Sequence, residues 1–522
     1  MLSVVLRYYH TLKFLQWTQI KYRLRYQFSP IRPDTHIDDV QWSEGKTRFL
    51  NDSIDAPKSW LGNNVFKFLN QLHQFDQDID WNFRGFGKLW TYNLNYFEFL
   101  AQANLSKYEG LGLIHDFINK EKEVKDGMEP FPISLRCIFW IRFLIKHQIK
   151  DEQIDQSLFG QLQLLSKRPE YHLMGNHLLE NGFSLLFGAC YFDNEGWWSQ
   201  AKNILETQLT EQILSDGSHF ELSPMYHQIM LYRLLDSINL LQNNYEEKEI
   251  AFLELLKNKA ELMLGWLQQM TFSNGDLPQV NDSTNNIAPT HLSLMNYARQ
   301  LNISIQQKQL STSGYRKINR PNYEILIDVG QIGPDYIPGH AHSDTFNFVL
   351  HHQSNPLIVD TGISTYEKNK RRNVERSTSA HNTVMIDGLE QSEVWGGFRV
   401  ARRAKVTLIE ETNDIITATH NGYQRINCEH QRSFNFHSDA ISIKDTITKN
   451  KVAKAFFHFD SNVKIELIKD TIKGTFGEMN FEGCDAVKVE PYLLAKGFNH
   501  KVEAVRAVVT FHHQLLTKIT FQ

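Results

Sequence analysis

The apolar spacing of this chain changes period once, near residue 311, and that change constrains the fold more than any other feature. Apolar residues recur at helical intervals over residues 97–104, 133–147, 177–190, 201–214, 225–241 and 247–269. After Ser311-Thr312-Ser313-Gly314 the pattern turns to short runs of strand character, at 346–350, 357–359, 383–386, 405–409, 415–418, 440–445 and 464–468, continued at 486–489 and 507–511. Turn residues separate these runs, as in antiparallel β-sandwiches. A length of 522 residues is too great for one ordinary core. The expected organisation is an N-terminal extension over 1–58, a domain of stacked helical hairpins over 59–310, and an antiparallel β-sandwich over 311–522. The fold class is thus multidomain α+β.

Composition excludes several functions. The net charge of -4 argues against nonspecific nucleic-acid binding, for which a basic domain is usual. Neither a phosphate-binding loop nor a dinucleotide fingerprint follows a strand. Cys137, Cys190, Cys428 and Cys484 are too scattered for a disulfide framework or a thiolate zinc site, and read as buried free thiols. No apolar run approaches the 18 or so residues of a membrane-spanning helix. Residues 1–28 mix aromatic and aliphatic side chains with Arg7, Lys13, Lys21, Arg23 and Arg25. Two readings stand: a basic amphipathic helix in peripheral contact with a membrane, or a helix packed on the body of the protein. The long apolar core and small-residue cleavage site of a secretory signal are not evident.

The chemistry-bearing residues form two groups. In the β-rich half, Gly339-His340-Ala341-His342-Ser343-Asp344 and Ser379-Ala380-His381-Asn382-Thr383 flank Asp360. On a strand, His340 and His342 would share one face. His342, His381 and Asp360 can supply two imidazole nitrogens and a carboxylate to a divalent metal, and zinc suits such a mixed set. The alternative is a set of hydrogen-bonded core histidines with an aspartate capping a turn. His340 is left free to accept a proton or to donate a hydrogen bond to a carboxylate.

In the helical half, Asn176, His177 and Glu180 fall within the first turns of an apolar helix, where an anion can be recognised. An Asn cap followed by a packed histidine is the alternative. Tyr226 follows Pro224, which suits a first helical turn, and is accompanied by His219, Glu221 and His227. A phenol in a suitable environment can exchange a proton. Between Trp81 and Phe99 a run of aromatics, Trp90 among them, is interleaved with Arg84 and two asparagines. It reads as a sugar-binding wall or as the packed start of the domain. Arg136 sits four residues before Trp140, where the two can meet on one helix face. Glu180, His219, Glu221, Arg84, Trp90 and Arg136 are the candidate substrate contacts.

Four stretches in order resemble the heparinase II/III family of polysaccharide lyases: 175–181, 216–227, 338–344 and 379–383. The resemblance spans roughly residues 60–500. It implies an incomplete (α/α) toroid followed by the β-sandwich, and β-elimination beside a uronic acid in an acidic polysaccharide. It implies that Asn176, or His177 with it, neutralises the uronate carboxylate and that Tyr226 protonates the leaving oxygen. Tyr226 or His340 removes the C5 proton, according to the configuration at C5. His342, Asp360 and His381 match the family's zinc ligands, the ion being structural. Glu180 matches a carboxylate near the carboxylate-binding residues of some members. The family suggests a bacterial periplasmic setting. The basic aromatic N-terminus is similar to relatives tied to capsule or exopolysaccharide production. A noncatalytic glycan-binding or assembly protein, or a glycoside hydrolase, are the competing functions.

Overall fold

The computed structural model describes residues 2–28, 44–244 and 249–522. Residues 29–43 of the expected N-terminal extension, and the first two residues of the helix expected at 247–269, lie outside the described residues.

Helices dominate to residue 300 and antiparallel strands thereafter. The helix starts are written into the sequence. Pro130 opens Pro130–His147, Ser106 and Glu109 form a reciprocal cap on Lys107–Lys120, and the Asn194 side chain accepts from the Trp197 N–H at the start of Glu195–Gln212. Such caps satisfy N–H groups that the first turn leaves without partners. Gly175–Phe192 runs through the middle of the domain, against Pro130–His147, Glu195–Gln212 and Pro224–Asn244. Every one of its residues but His177 is buried. The expected helix at 97–104 is absent. Phe97 takes φ 58°, which ends Lys88–Tyr96, and only a 3-10 turn follows at Glu98–Ala101.

Tyr315–Asn319, Tyr323–Asp328, Phe348–His352 and Asn355–Ile358 form a four-stranded antiparallel sheet in sequence order. A ten-stranded sheet lies against it, and both faces share one core in which Ile325, Phe348, Phe434, Ile443 and Phe457 meet. Its spine is the hairpin of Gly477–Gly497 and His500–Phe521. A smaller apolar cluster joins the domains, with Trp266, Met270 and Phe272 from the helical side against Tyr315, Leu326 and Val349. The connecting segment is pinned by Asp216, whose Oδ2 accepts from the backbone N–H groups of Ser311 and Ser313. Cys137, Cys190 and Cys428 are buried, and Cys484 is partly exposed.

The sandwich core carries a buried Arg432–Asp445 ion pair, and it predicts a pH dependence. Asp445 accepts two hydrogen bonds from Arg432 and one from His430. Burial pushes its carboxyl up, but Arg432 and His430 prevail and hold it down at about 2. A carboxyl depressed on folding stabilises the protein above its unfolded pKa, and that stability is lost as pH falls through the folded value. Asp445→Asn should therefore lose about 2 kcal/mol near neutrality. The gap to the native protein should close as the pH falls from about 4 toward about 2. Denaturant unfolding at a series of pH values measures this, and a gap that widened on acidification would contradict it.

Candidate active site

The site lies where the two domains meet, and its organiser is a residue that spacing alone does not reveal. Asp282 sits in the irregular segment between helices Ile250–Met270 and His291–Gln300. Its carboxylate accepts from His340 Nδ1 at 2.8 Å, from His342 Nε2 at 2.9 Å, and from both terminal nitrogens of Arg372 at 2.5 and 2.6 Å. Burial alone would raise its pKa. Arg372 and the two imidazoles instead hold it well below the usual carboxylate range.

The backbone of Asp282 is tied in as well. Its N–H donates to the His340 carbonyl, and its own carbonyl accepts from Ser223 Oγ. Ser223 immediately precedes helix Pro224–Asn244, and Ser283 Oγ accepts from the Met225 N–H. The first turn of the Tyr226 helix and the His340 loop are therefore fastened to one short segment. Residues 339–342 form a loop rather than a strand. His340 and His342 turn the same way because they share Asp282, not because of strand alternation.

Tyr226 and His340 pack face to face, with ring centroids 4.0 Å apart and planes 31° apart. The Tyr226 hydroxyl lies 3.1 Å from the Tyr366 hydroxyl. Burial pushes the Tyr226 phenol well above its ordinary value, so it stays protonated near neutrality. A carboxylate only accepts, so Nδ1 of His340, facing Asp282, carries a proton, and in a neutral imidazole of that tautomer Nε2 carries the lone pair. Nε2 is 3.6 Å from Glu221 Oε2, beyond hydrogen-bonding range.

Glu221 forms the floor behind this pair. Oε1 accepts from the Asn176 N–H, at the start of Gly175–Phe192, and burial raises the carboxyl's pKa. Gly175 is required there: its φ is +58°, and a Cβ would come within 2.6 Å of Glu221 Oε1. Met174, with φ 66° and ψ −151°, is a non-glycine residue in the same sharp entry to the helix. Asn176 is thus placed beside Glu221, and His177 faces a cavity of about 420 Å³ lined also by Tyr26, Tyr92, Glu129 and His172. His177 Nδ1 bonds Glu170 at 3.1 Å. Burial would lower its pKa, but the Glu170 charge outweighs it and the net shift is upward.

Several candidate contacts prove to be interior. Trp90 is wholly buried among Phe68, Phe83 and Phe86. Arg136 is equally buried, its guanidinium satisfied by Gln161 and the carbonyls of Asn95 and Gly127. His219 is buried against Gln212. Glu180 is buried against Arg233, with burial lifting its carboxyl to about 7 despite that partner. None of the four can form a wall that substrate touches. Arg84 stays near the surface but makes two hydrogen bonds to Asp126. Glu221 acts from behind His340. Tyr366 and Arg372 join the site without having been singled out. Arg372 lies in a cation-rich run, 368–376, and its pairing with Asp282, rather than its burial, which Arg376 shares, sets it apart.

The expected metal ligands are adjacent but do not converge as a set of three. Asp360 Oδ2 accepts from His381 Nδ1 at 2.7 Å and from the Asn347 amide, and Oδ1 accepts from the Gly362 N–H. Asp360 is therefore the outer partner of His381 rather than a third inward donor. Among the described residues no group of three or more His, Cys, Asp or Glu is arranged to hold a metal. Two donors nevertheless fit one. His342 Nδ1 and His381 Nε2 are buried without hydrogen-bond partners, on rings whose centroids are 5.2 Å apart, and each ring is backed on its other nitrogen by a carboxylate.

A helical region feeding an antiparallel sandwich, with a polar site shared between them, matches solved lyase structures in fold. A heparinase III structure superposes with a TM-score of 0.66 at 14% identity, covering 86% of this chain and 80% of that one. A heparan sulfate lyase from Pedobacter heparinus gives 0.60 at 17%, covering 88% and 81%. In sequence, a heparin-sulfate lyase of Pedobacter heparinus is 26% identical over 367 residues, 62% of this chain. The chain spans about half of that relative's length, 52%. Residues 135–310 match the heparinase II/III N-terminus, and residues 304–522 match the heparinase II/III-like C-terminal domain. The chain belongs to the heparinase II/III family.

Proposed function

We propose that this protein is a polysaccharide lyase that cleaves an acidic, uronate-containing polysaccharide by β-elimination. The observation that carries the reading is the Tyr226–His340 pair, one ring from each domain, 4.0 Å apart and backed by Asp282.

The C5 proton of a uronate is weakly acidic, and charge builds on its carboxylate as the proton leaves. In this reading Asn176, or His177 with it, meets that charge, which lowers its cost. His340 Nε2 takes the C5 proton in one configuration at C5; in the other, Tyr226 takes it as the phenolate, after giving up its own proton to solvent. The electron pair of the C–H bond forms the C4=C5 double bond, the C4–O4 bond breaks, and the phenol of Tyr226 delivers a proton to the departing oxygen. No covalent intermediate is required.

The carboxylates that hydrolysis would need are occupied elsewhere. Asp216 holds the interdomain connection, Glu180 pairs with Arg233, and Glu221 caps a helix. Curated relatives that are heparin-sulfate lyases support the class of reaction. A role in capsule or exopolysaccharide processing is a finer part of the proposal, supported by the basic, aromatic residues 1–28.

The test is incubation with a panel of uronate polymers, reading ultraviolet absorbance and product masses. Elimination yields an unsaturated uronate and shortened chains. Shortened chains without that absorbance would indicate hydrolysis, and tight binding without shortening would indicate a glycan-binding protein.

Zinc belongs to the proposal as a structural ion on His342 and His381. When bound, it would fix the two rings and the loops that carry them. Elemental analysis of the purified protein should find zinc, His381→Ala should lose it, and chelation should lower the unfolding temperature. Metal-free protein of undiminished stability would remove the ion from the reading.

A further inference from the structure

The two N-terminal helices, Leu2–Leu12 and Trp17–Phe28, each have one face seated on the protein. Gln19, only 1% exposed, donates its side-chain amide to the carbonyls of Leu173 and Tyr336. These carbonyls lie just before the Asn176 and His340 segments. Tyr22 stacks on Tyr171, and Tyr26 donates to the Pro169 carbonyl. Tyr8 packs edge-on against Trp395, and Arg7 pairs with Glu393.

Among the described residues the opposite faces have no such cover. Trp17 and Phe28 are 73% and 78% exposed, and Leu24 is exposed between them. At about 100° per residue these three fall within roughly 40° of arc. Val5, Tyr9 and Leu12 form a similar exposed stripe on the first helix. Each stripe is flanked by cations, Lys13 on the first and Lys21 and Arg25 on the second. Residues 1–28 contain no Asp or Glu. Among the described residues no carboxylate pairs with Lys13, Lys21 or Arg25. Arg399 adds positive charge beside the helices and acts on Arg23, while Arg402 and Arg403, the latter over the Phe14 ring, lie there paired with Glu393 and Asp335.

We infer that the outer face of these helices is a docking surface for an anionic lipid bilayer, lying in the interface plane. Apolar stripes rich in aromatics with lysine and arginine at their edges match the two layers of such a surface, acyl chains below and anionic headgroups above. A soluble polyanion would use the cations but leave Trp17, Leu24 and Phe28 in water. The inner face, through Gln19, fastens both segments that lead into the site, so the docked surface sits directly behind the cleft.

The experiment is co-sedimentation of the full chain with phosphatidylglycerol–phosphatidylcholine vesicles and with phosphatidylcholine vesicles alone. Binding is expected only to the anionic vesicles. It should weaken by about tenfold or more in Trp17→Glu/Phe28→Glu, and likewise in Lys21→Glu/Arg25→Glu. Both variants should keep the native circular dichroism and the native rate on a soluble polymer. Three results would overturn the inference. One is no binding to anionic vesicles. Another is undiminished binding in the Trp17/Phe28 variant, which would reduce the surface to a patch of cations. The third is a native dimer dissolved by that variant, which would make the stripes a contact between two copies.

Discussion

Tyr226→Phe should fold as the native protein does and eliminate about 10²- to 10⁴-fold more slowly, the range of a lost general acid or base. The substitution removes one oxygen and keeps the ring that stacks on His340. Its structural cost is the single hydrogen bond to Tyr366, about 1 kcal/mol. The loss should appear in kcat with KM little changed, since a phenol that acts in proton transfer adds more to the transition state than to substrate binding. Tyr366→Phe removes the other half of the same hydrogen bond but not the transferring group, and should cost much less. Equal losses in the two variants would show that the hydroxyl pair, rather than Tyr226, is the working unit. Native turnover in Tyr226→Phe would remove it from the proposed role altogether.

The sequence exposes Tyr226 and His340 more readily than the residues that hold them, and the reason is physical. Long helices such as Gly175–Phe192 and Pro224–Asn244 announce themselves because they are apolar over several turns, and their polar exceptions stand out against that background. Short strands after residue 311 show by period and by turn residues. The fold class was therefore legible. The helix expected at 97–104 failed because one residue, Phe97, takes a left-handed backbone that its composition does not signal. Trp90 and Arg136 were drawn toward the substrate because aromatic and guanidinium groups suit both a sugar-binding wall and a packed core. Burial decides between those, and burial depends on distant chain. Asp282 was illegible for a further reason. It lies between two helices in a segment without periodicity, and its partners are 58, 60 and 90 residues away. Only the fold brings one carboxylate to two histidines and an arginine.

Asp282→Ala should be the most damaging single change, because it separates what one carboxylate now joins. The native side chain is fully buried and takes four hydrogen bonds from three residues. Its removal leaves the Arg372 guanidinium buried without a counter-ion, and breaking a buried pair in this way costs about 3–5 kcal/mol. Asp282→Ala/Arg372→Met removes both charges and should recover part of that stability, since a matched apolar replacement leaves no orphan. Activity should not recover with it. His340 in the double variant has lost the acceptor that fixes its Nδ1 proton and its ring plane, so its Nε2 is no longer aimed at a substrate beside Tyr226. Denaturant unfolding and turnover measured on the same preparations separate the two roles. Stability and kcat recovering together would make Asp282 a purely structural anchor. Stability recovering alone makes it the residue through which the helical domain positions a histidine of the sandwich.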